Sequence, residues 1–152
     1  MKKEFVMRGQ TADFKTTGTT EVLNFSGYKP GYAYRLTEFQ IYPSTGIHTV
    51  SYELVASITA GKTPADPENP NFNDEGLIAT AISNAHHYDY RSHSFDSIIN
   101  DTFLITQNLI MTLSDISTAA APINWQCRFE SVKMSGAEEA AVNYKQFAIS
   151  DE

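Results

Sequence analysis

Cysteine is almost missing from this chain. Its 152 residues include one, Cys127, so an internal disulfide and a cysteine-pair metal site are both excluded. Charge is also scarce: Asp, Glu, Lys and Arg make up 19% of the residues, against about 25% in an ordinary soluble domain. Positive charge is scarcer still. Eleven Lys and Arg face eighteen Asp and Glu, leaving a net charge of −7 and a pI near 5.0. No basic stripe exists to hold a phosphate backbone, so direct nucleic-acid binding is not expected. Lys2, Lys3 and Arg8 make at most a small local patch. Long apolar runs are absent too, and nothing approaches the ~20 residues that span a bilayer. In "MKKEFVMRG" the apolar part is Phe5, Val6 and Met7, well short of the roughly 7–15 residues of a secretion signal. The expectation is a mature chain beginning at or near Met1, made in a cytosol, with no membrane partner. Asn24-Phe-Ser and Asn100-Asp-Thr match the glycosylation pattern, and both are then taken as chance.

What remains is a mixture rich in Thr, Ser, Asn and Tyr, which suits strands and polar loops. Alternation of period two recurs. In "HTVSYELVASITAG" Val50, Tyr52, Leu54, Ala56 and Ile58 share one parity, which predicts a long strand with one buried face. "YAYRLTEFQIY" has Tyr34 and Leu36 on one side and Phe39 and Ile41 on the other. Pro43 and Gly46 between these two stretches signal a hairpin. "TTEVLNFSG" is a short strand closed by the turn "YKPGY". "TFLIT" and "LIMTLSDI" add two runs, and "EGLIATAIS" and the N-terminus supply further candidates. "INWQCRFESV" places Ile123, Trp125, Cys127 and Phe129 opposite Asn124, Gln126, Arg128 and Glu130. Seven to nine strands result, with no βαβ rhythm. Helical spacing appears once, over residues 135–147. Ser135 and Glu138 form a capping box there, followed by Ala137, Ala140, Ala141, Tyr144 and Phe147. Residues 61–76 form a long polar loop with three prolines, expected to be functional or to lie across another surface.

One domain spanning 1–152 is therefore expected: an all-β, antiparallel two-sheet sandwich, jelly-roll-like, with one short C-terminal helix. An immunoglobulin-like sandwich comes second, without paired cysteines flanking its Trp.

Chemistry-bearing residues concentrate in "SNAHHYDYRSHSFDS", residues 83–97, which holds three of the four histidines. His87, Asp89 and His93 are the candidate metal ligands. His86 and His87 are adjacent and would point to opposite faces of a strand. No HExxH pattern supports a zinc site, so no metal and no cofactor is expected, and the stretch is read as a polar, aromatic β-edge. Histidines at an assembly contact would make it pH-sensitive. Asp66, Glu68, Asn69, Asn71, Asn73, Asp74 and Glu75 offer the oxygens calcium favours, but not at EF-hand spacing. "AGKT" fails as a phosphate loop because position 56 is alanine and Pro64 follows. There is no Gly-x-Ser-x-Gly elbow, and Cys127 shares a face with Trp125 and Phe129, as a buried small hydrophobe does. No catalytic residue is singled out. Tyrosine combines apolar area with a hydroxyl and suits contact surfaces. Tyr28, Tyr32, Tyr34, Tyr42, His86, Tyr88 and Tyr90 are therefore the interface candidates.

The segment "APINWQCRFESVKMSGAEEAAVNYKQFAISDE", an alternating strand followed by a capped helix, resembles small virion proteins of tailed bacteriophages. That resemblance implies a compact sandwich or jelly roll without enzymatic motifs, acting as a capsid or capsid-decorating subunit. It implies self-association and contact with other virion proteins, a location in the virion, and synthesis in the host cytoplasm. Two alternatives stay open: a carbohydrate- or receptor-binding sandwich of a fibre or spike, and a cupin-like metal-dependent enzyme using the histidine stretch.

Overall fold

The computed structural model describes residues 3–12, 19–23, 31–44, 51–61, 63–86, 89–116 and 122–150. Eight strands and one helix follow one another: β1 (Glu4–Thr11), β2 (Thr19–Leu23), β3 (Tyr32–Pro43), β4 (Tyr52–Ala60), β5 (Leu77–His86), β6 (Asp89–Ile99), β7 (Leu109–Asp115), β8 (Ile123–Lys133) and α1 (Gly136–Ser150). They form a three-stranded sheet in the order β1-β8-β3 and a five-stranded sheet in the order β2-β7-β4-β5-β6. All pairings are antiparallel. The expected all-β two-sheet sandwich is what forms.

The pairings are nested. β1 lies on β8, β2 on β7, and β4 on β5. This is the wrapping of a jelly roll, in which a long folded-back hairpin coils into two sheets. The nest departs from full closure at one place. β3 and β6 would form the remaining pair, yet β6 stays hydrogen-bonded to β5. Both therefore end a sheet. Between Glu38 and Pro43, β3 is laddered on its β8 side only, among the described residues.

Core and strand phase obey the alternation with two instructive differences. Tyr52, Leu54, Ala56 and Ile58 are buried from β4, and Ile123, Cys127 and Phe129 from β8, with Trp125 packed at the margin. Leu36, Phe39 and Ile41 all point inward although simple alternation sets Leu36 against the other two. A bulge between Leu36 and Glu38 inserts one residue and shifts the phase. Thr37 uses its hydroxyl there, donating to the Arg128 carbonyl at 3.2 Å. The second difference concerns the connection that leaves Pro43. β3 and β4 belong to different sheets, so this connection is a crossing between layers and not a hairpin. "TFLIT" is likewise not a strand. It buries Phe103 and Ile105 and touches β3 by one bridge, Tyr34 to Ile105, with hydrogen bonds of 2.9 and 2.7 Å.

Residues 65–68 lie against the outer face of the five-stranded sheet. Ser57 donates to the Ala65 carbonyl at 3.0 Å, and Ser114 reaches Glu68 at 3.5 Å. Ser57, Thr112 and Ser114 are buried as a result, so the centre of this sheet is covered on both faces.

Half of the expected capping box forms, with Glu138 accepting from the Ser135 hydroxyl in place of its backbone N–H. The Glu138 amide donates to Ser135 Oγ at 3.2 Å, and that hydroxyl donates to the Glu138 carboxylate at 3.1 Å. Glu138 and Glu139 also place negative charge at the positive end of the helix. The helix continues to Ser150, and it buries the face opposite to the one its apolar spacing marks. Ala137, Ala140, Ala141 and Tyr144 are exposed, whereas Gln146 and Ile149 are buried. Gln146 accepts from the Thr106 amide at 3.0 Å and donates to the Leu104 carbonyl. Ile149 fits against Gly61 and Gly76. Satisfying the backbone of the buried "TFLIT" segment outweighs burying small alanines.

Candidate functional site

The site grows out of the missing β3–β6 pair. Where those two strands would have joined, a cleft of about 840 Å³ opens. β3 lines it with Phe39, Gln40, Ile41 and Tyr42, and β6 with Phe95, Asp96 and Ser97; Ile82 of β5, Asn124, Trp125 and Gln126 of β8, and Arg8 and Gly9 of β1 complete it. The register puts Arg8, Gln126 and Gln40 directly abreast on three neighbouring strands. Paired antiparallel residues share a face, so one guanidinium and two amides stand in a row across the three-stranded sheet.

Aromatic rings form the rest of the site. Tyr42 and Phe95 stack across the gap with centroids 5.8 Å apart and planes 8° apart. Both are about half exposed, at 48% and 52%. Trp125 lies over Gly9, where a Cβ would come within 2.9 Å of its ring, and its indole N–H donates to Thr11 at 3.0 Å. Glycine at position 9 is what lets the indole lie flat on β1. Burial raises the Tyr52 phenol above its ordinary pKa; the Ser83 hydroxyl opposes that shift and nearby Tyr42 adds to it. The side chains of Arg8, Gln40, Gln126 and Asp96 make no hydrogen bond or ion pair to a described residue.

The sequence candidates distribute unevenly around this site. Tyr42 is part of it. Tyr34 is engaged internally, edge-on to Phe5 at 5.5 Å and packed against the core. Tyr32 is half-buried at the start of β3. Tyr28, His87 and Tyr88 lie outside the described residues. Backbone places His86 at the end of β5, paired with Asp89, and Tyr90 and His93 on β6, the edge of the five-stranded sheet. From Asp89 onward the stretch is an edge strand in backbone terms, whereas residues 83–86 belong to β5, which lies between β4 and β6. Among the described residues no group of three or more His, Cys, Asp or Glu side chains could hold a metal. Three of the seven residues noted as calcium candidates turn side-chain oxygens to local donors. Asp66 accepts from the Glu68 amide at 3.0 Å and from Asn69 at 2.9 Å, Asn71 from the Asn73 amide at 3.0 Å, and Asp74 from the Gly76 amide at 2.9 Å. These turns hold the Asp66 carboxyl below its ordinary pKa, chiefly through Asn69. Phe95 and the row of Arg8, Gln126 and Gln40 escaped the sequence pattern. Their strands come from opposite ends and the middle of the chain, and no local spacing reveals which strands pair. Only the outward parity of Gln126 was visible.

Cys127 is fully buried on the inner face, and burial pushes its thiol up to about 12. Folded protein should not react with a disulfide reagent such as dithionitrobenzoate at pH 8, and unfolded protein should react stoichiometrically. The folded thiol holds its proton above pH 9, where the unfolded one loses it. Stability contributed by this group is therefore whole below pH 9 and falls as pH rises toward 12. Denaturation midpoints between pH 8 and 11 should show a shallower alkaline decline in Cys127→Ala.

The architecture defines the class: a two-sheet antiparallel β-sandwich with jelly-roll wrapping. Beyond that class, the chain matches no protein-family model and no curated protein sequence. No helix among the described residues is long and apolar enough to cross a membrane.

Proposed function

We propose that this chain is a non-enzymatic structural subunit of a virion, a capsid or capsid-decorating protein that acts through contacts with copies of itself and with other coat proteins. The observation that carries this proposal is the open edge of the five-stranded sheet. Ile98, 55% exposed, stands there on the same strand as Phe95, with Ile82 exposed on the neighbouring strand. Exposed edges of soluble monomers are usually guarded by lysine, proline or inward charge. Residues 94–99, "SFDSII", carry one charge, Asp96, and no lysine or proline. At the other end of the same sheet β2 exposes Val22. A sheet with apolar side chains at both ends suits repeated lateral association, and closed symmetry is its common outcome. The resemblance of the C-terminal segment to phage virion proteins points the same way, with synthesis in the host cytoplasm and residence in the particle.

Mass photometry at low micromolar concentration tests this. The parent chain should populate a discrete oligomer, and Ile98→Asp should shift it to the monomer while the denaturation midpoint stays within a few degrees. A parent chain that is monomeric alone and also monomeric when mixed with coat proteins sinks the proposal.

A further inference from the structure

The free edge of β6 also borders the cleft toward β3, and that cleft, whose lining does not include Ile98, has no role in association through Ile98. We propose that this cleft binds a neutral oligosaccharide. A pyranose ring presents a face of C–H groups and a rim of hydroxyls. The first needs a flat apolar surface, and the second needs groups that donate and accept side by side. Tyr42 and Phe95 cover one face of each other in their stack, and the part of the Tyr42 ring that the stack leaves exposed, at 48%, offers that flat surface. Gln40 and Gln126 supply paired amide donors and acceptors on adjacent strands, with Arg8 next in the same row. Strand neighbours lie about 4.8 Å apart, so successive hydroxyls along one sugar can each meet a different side chain. None of these three polar groups, nor Asp96, is spent on a described residue.

Charge selects the class of sugar. Among the described residues of the cleft one guanidinium stands with one carboxylate, Arg8 with Asp96, so that part of the lining is formally neutral. The chain as a whole carries −7. A uronic or sulfated glycan would meet net repulsion on approach and no surplus cation on arrival. Size agrees as well, since 840 Å³ falls in the range of about 300–1,000 Å³ that small-ligand sites occupy.

Isothermal titration of the full chain against maltohexaose, cellohexaose, laminarihexaose, xylohexaose, mannohexaose and chitohexaose tests the proposal, with hexagalacturonate as the charged control. At least one neutral hexasaccharide should bind saturably with Kd of about 10 μM to 1 mM. Emission from Trp125, the chain's single tryptophan, should change over the same concentration range. Tyr42→Ala and Gln126→Ala should each weaken binding about tenfold or more. Gln40→Ala, at an exposed position, repeats the test in a variant whose folding is not in question. Ile98→Asp should bind as the parent does. The proposal is overturned by no binding across the neutral panel, by binding that Tyr42, Gln126 and Gln40 variants leave intact, or by preference for hexagalacturonate. Mass photometry on the same samples reads assembly separately, so loss of either proposal leaves the other standing.

Discussion

Phe129→Ala should cost about 3–5 kcal/mol of folding stability. The ring is fully buried on β8, stacked on Phe5 at 5.4 Å, and its backbone is flanked by β1 at Phe5 and β3 at Leu36. β8 is the central strand of the three-stranded sheet, so neither neighbour can close into the space without breaking its ladder. Two contributions therefore add: the lost transfer free energy of the ring, and the cavity left where it stood. For a chain of this size each kcal/mol moves the melting midpoint by about 2–4 °C, so calorimetry should record a fall of roughly 6–20 °C. The denaturant slope should stay constant, because the surface exposed on unfolding barely changes. A fall of only a degree or two would mean that the two sheets do not enclose this ring.

Gln146→Leu should cost about 2–6 kcal/mol, a large effect for a polar residue on a terminal helix. The side chain is 1% exposed and does two things at once, accepting from the Thr106 amide and donating to the Leu104 carbonyl. Leucine fills similar space and keeps helix propensity, so the loss isolates the hydrogen bonds. It strands one buried N–H and one carbonyl, each at about 1–3 kcal/mol. The effect should also be local. Hydrogen exchange at Thr106 should accelerate far more than at the β8 amides, because the helix and the segment it clips open before the sheets do. Equal acceleration everywhere, or none at Thr106, would contradict the described docking.

The strands were legible in the sequence where one parity is uniformly apolar. Tyr52 through Ile58 and Ile123 through Phe129 needed nothing beyond alternation. The helix cap at Ser135 was legible because it is made within four residues. Three features were not. The bulge at Thr37 leaves no compositional mark, since no glycine announces it. The face buried by α1 is chosen by a backbone need at Leu104 and Thr106, far earlier in the chain, so the alanine spacing misled. The cleft depends on which strand β6 selects, and its lining comes from strands that meet only in the folded molecule. The site is therefore a product of topology, with Tyr42 its one member already marked as an interface candidate.

The pairing of β1 with β8 sets a schedule for the molecule. Glu4 lies against Glu130 and Thr11 against Ile123, so β1 leaves a ribosome well before β8 and has no partner until β8 has emerged behind it. β4, β5 and β6 can zip as neighbours early on, while the three-stranded layer must await the last strand. Such remote closures make folding slow, in the millisecond-to-second range of about 10⁻³–1 s. During that wait β1 is an unclaimed ribbon, and crowded synthesis of many copies would favour exchange of this arm between nascent chains.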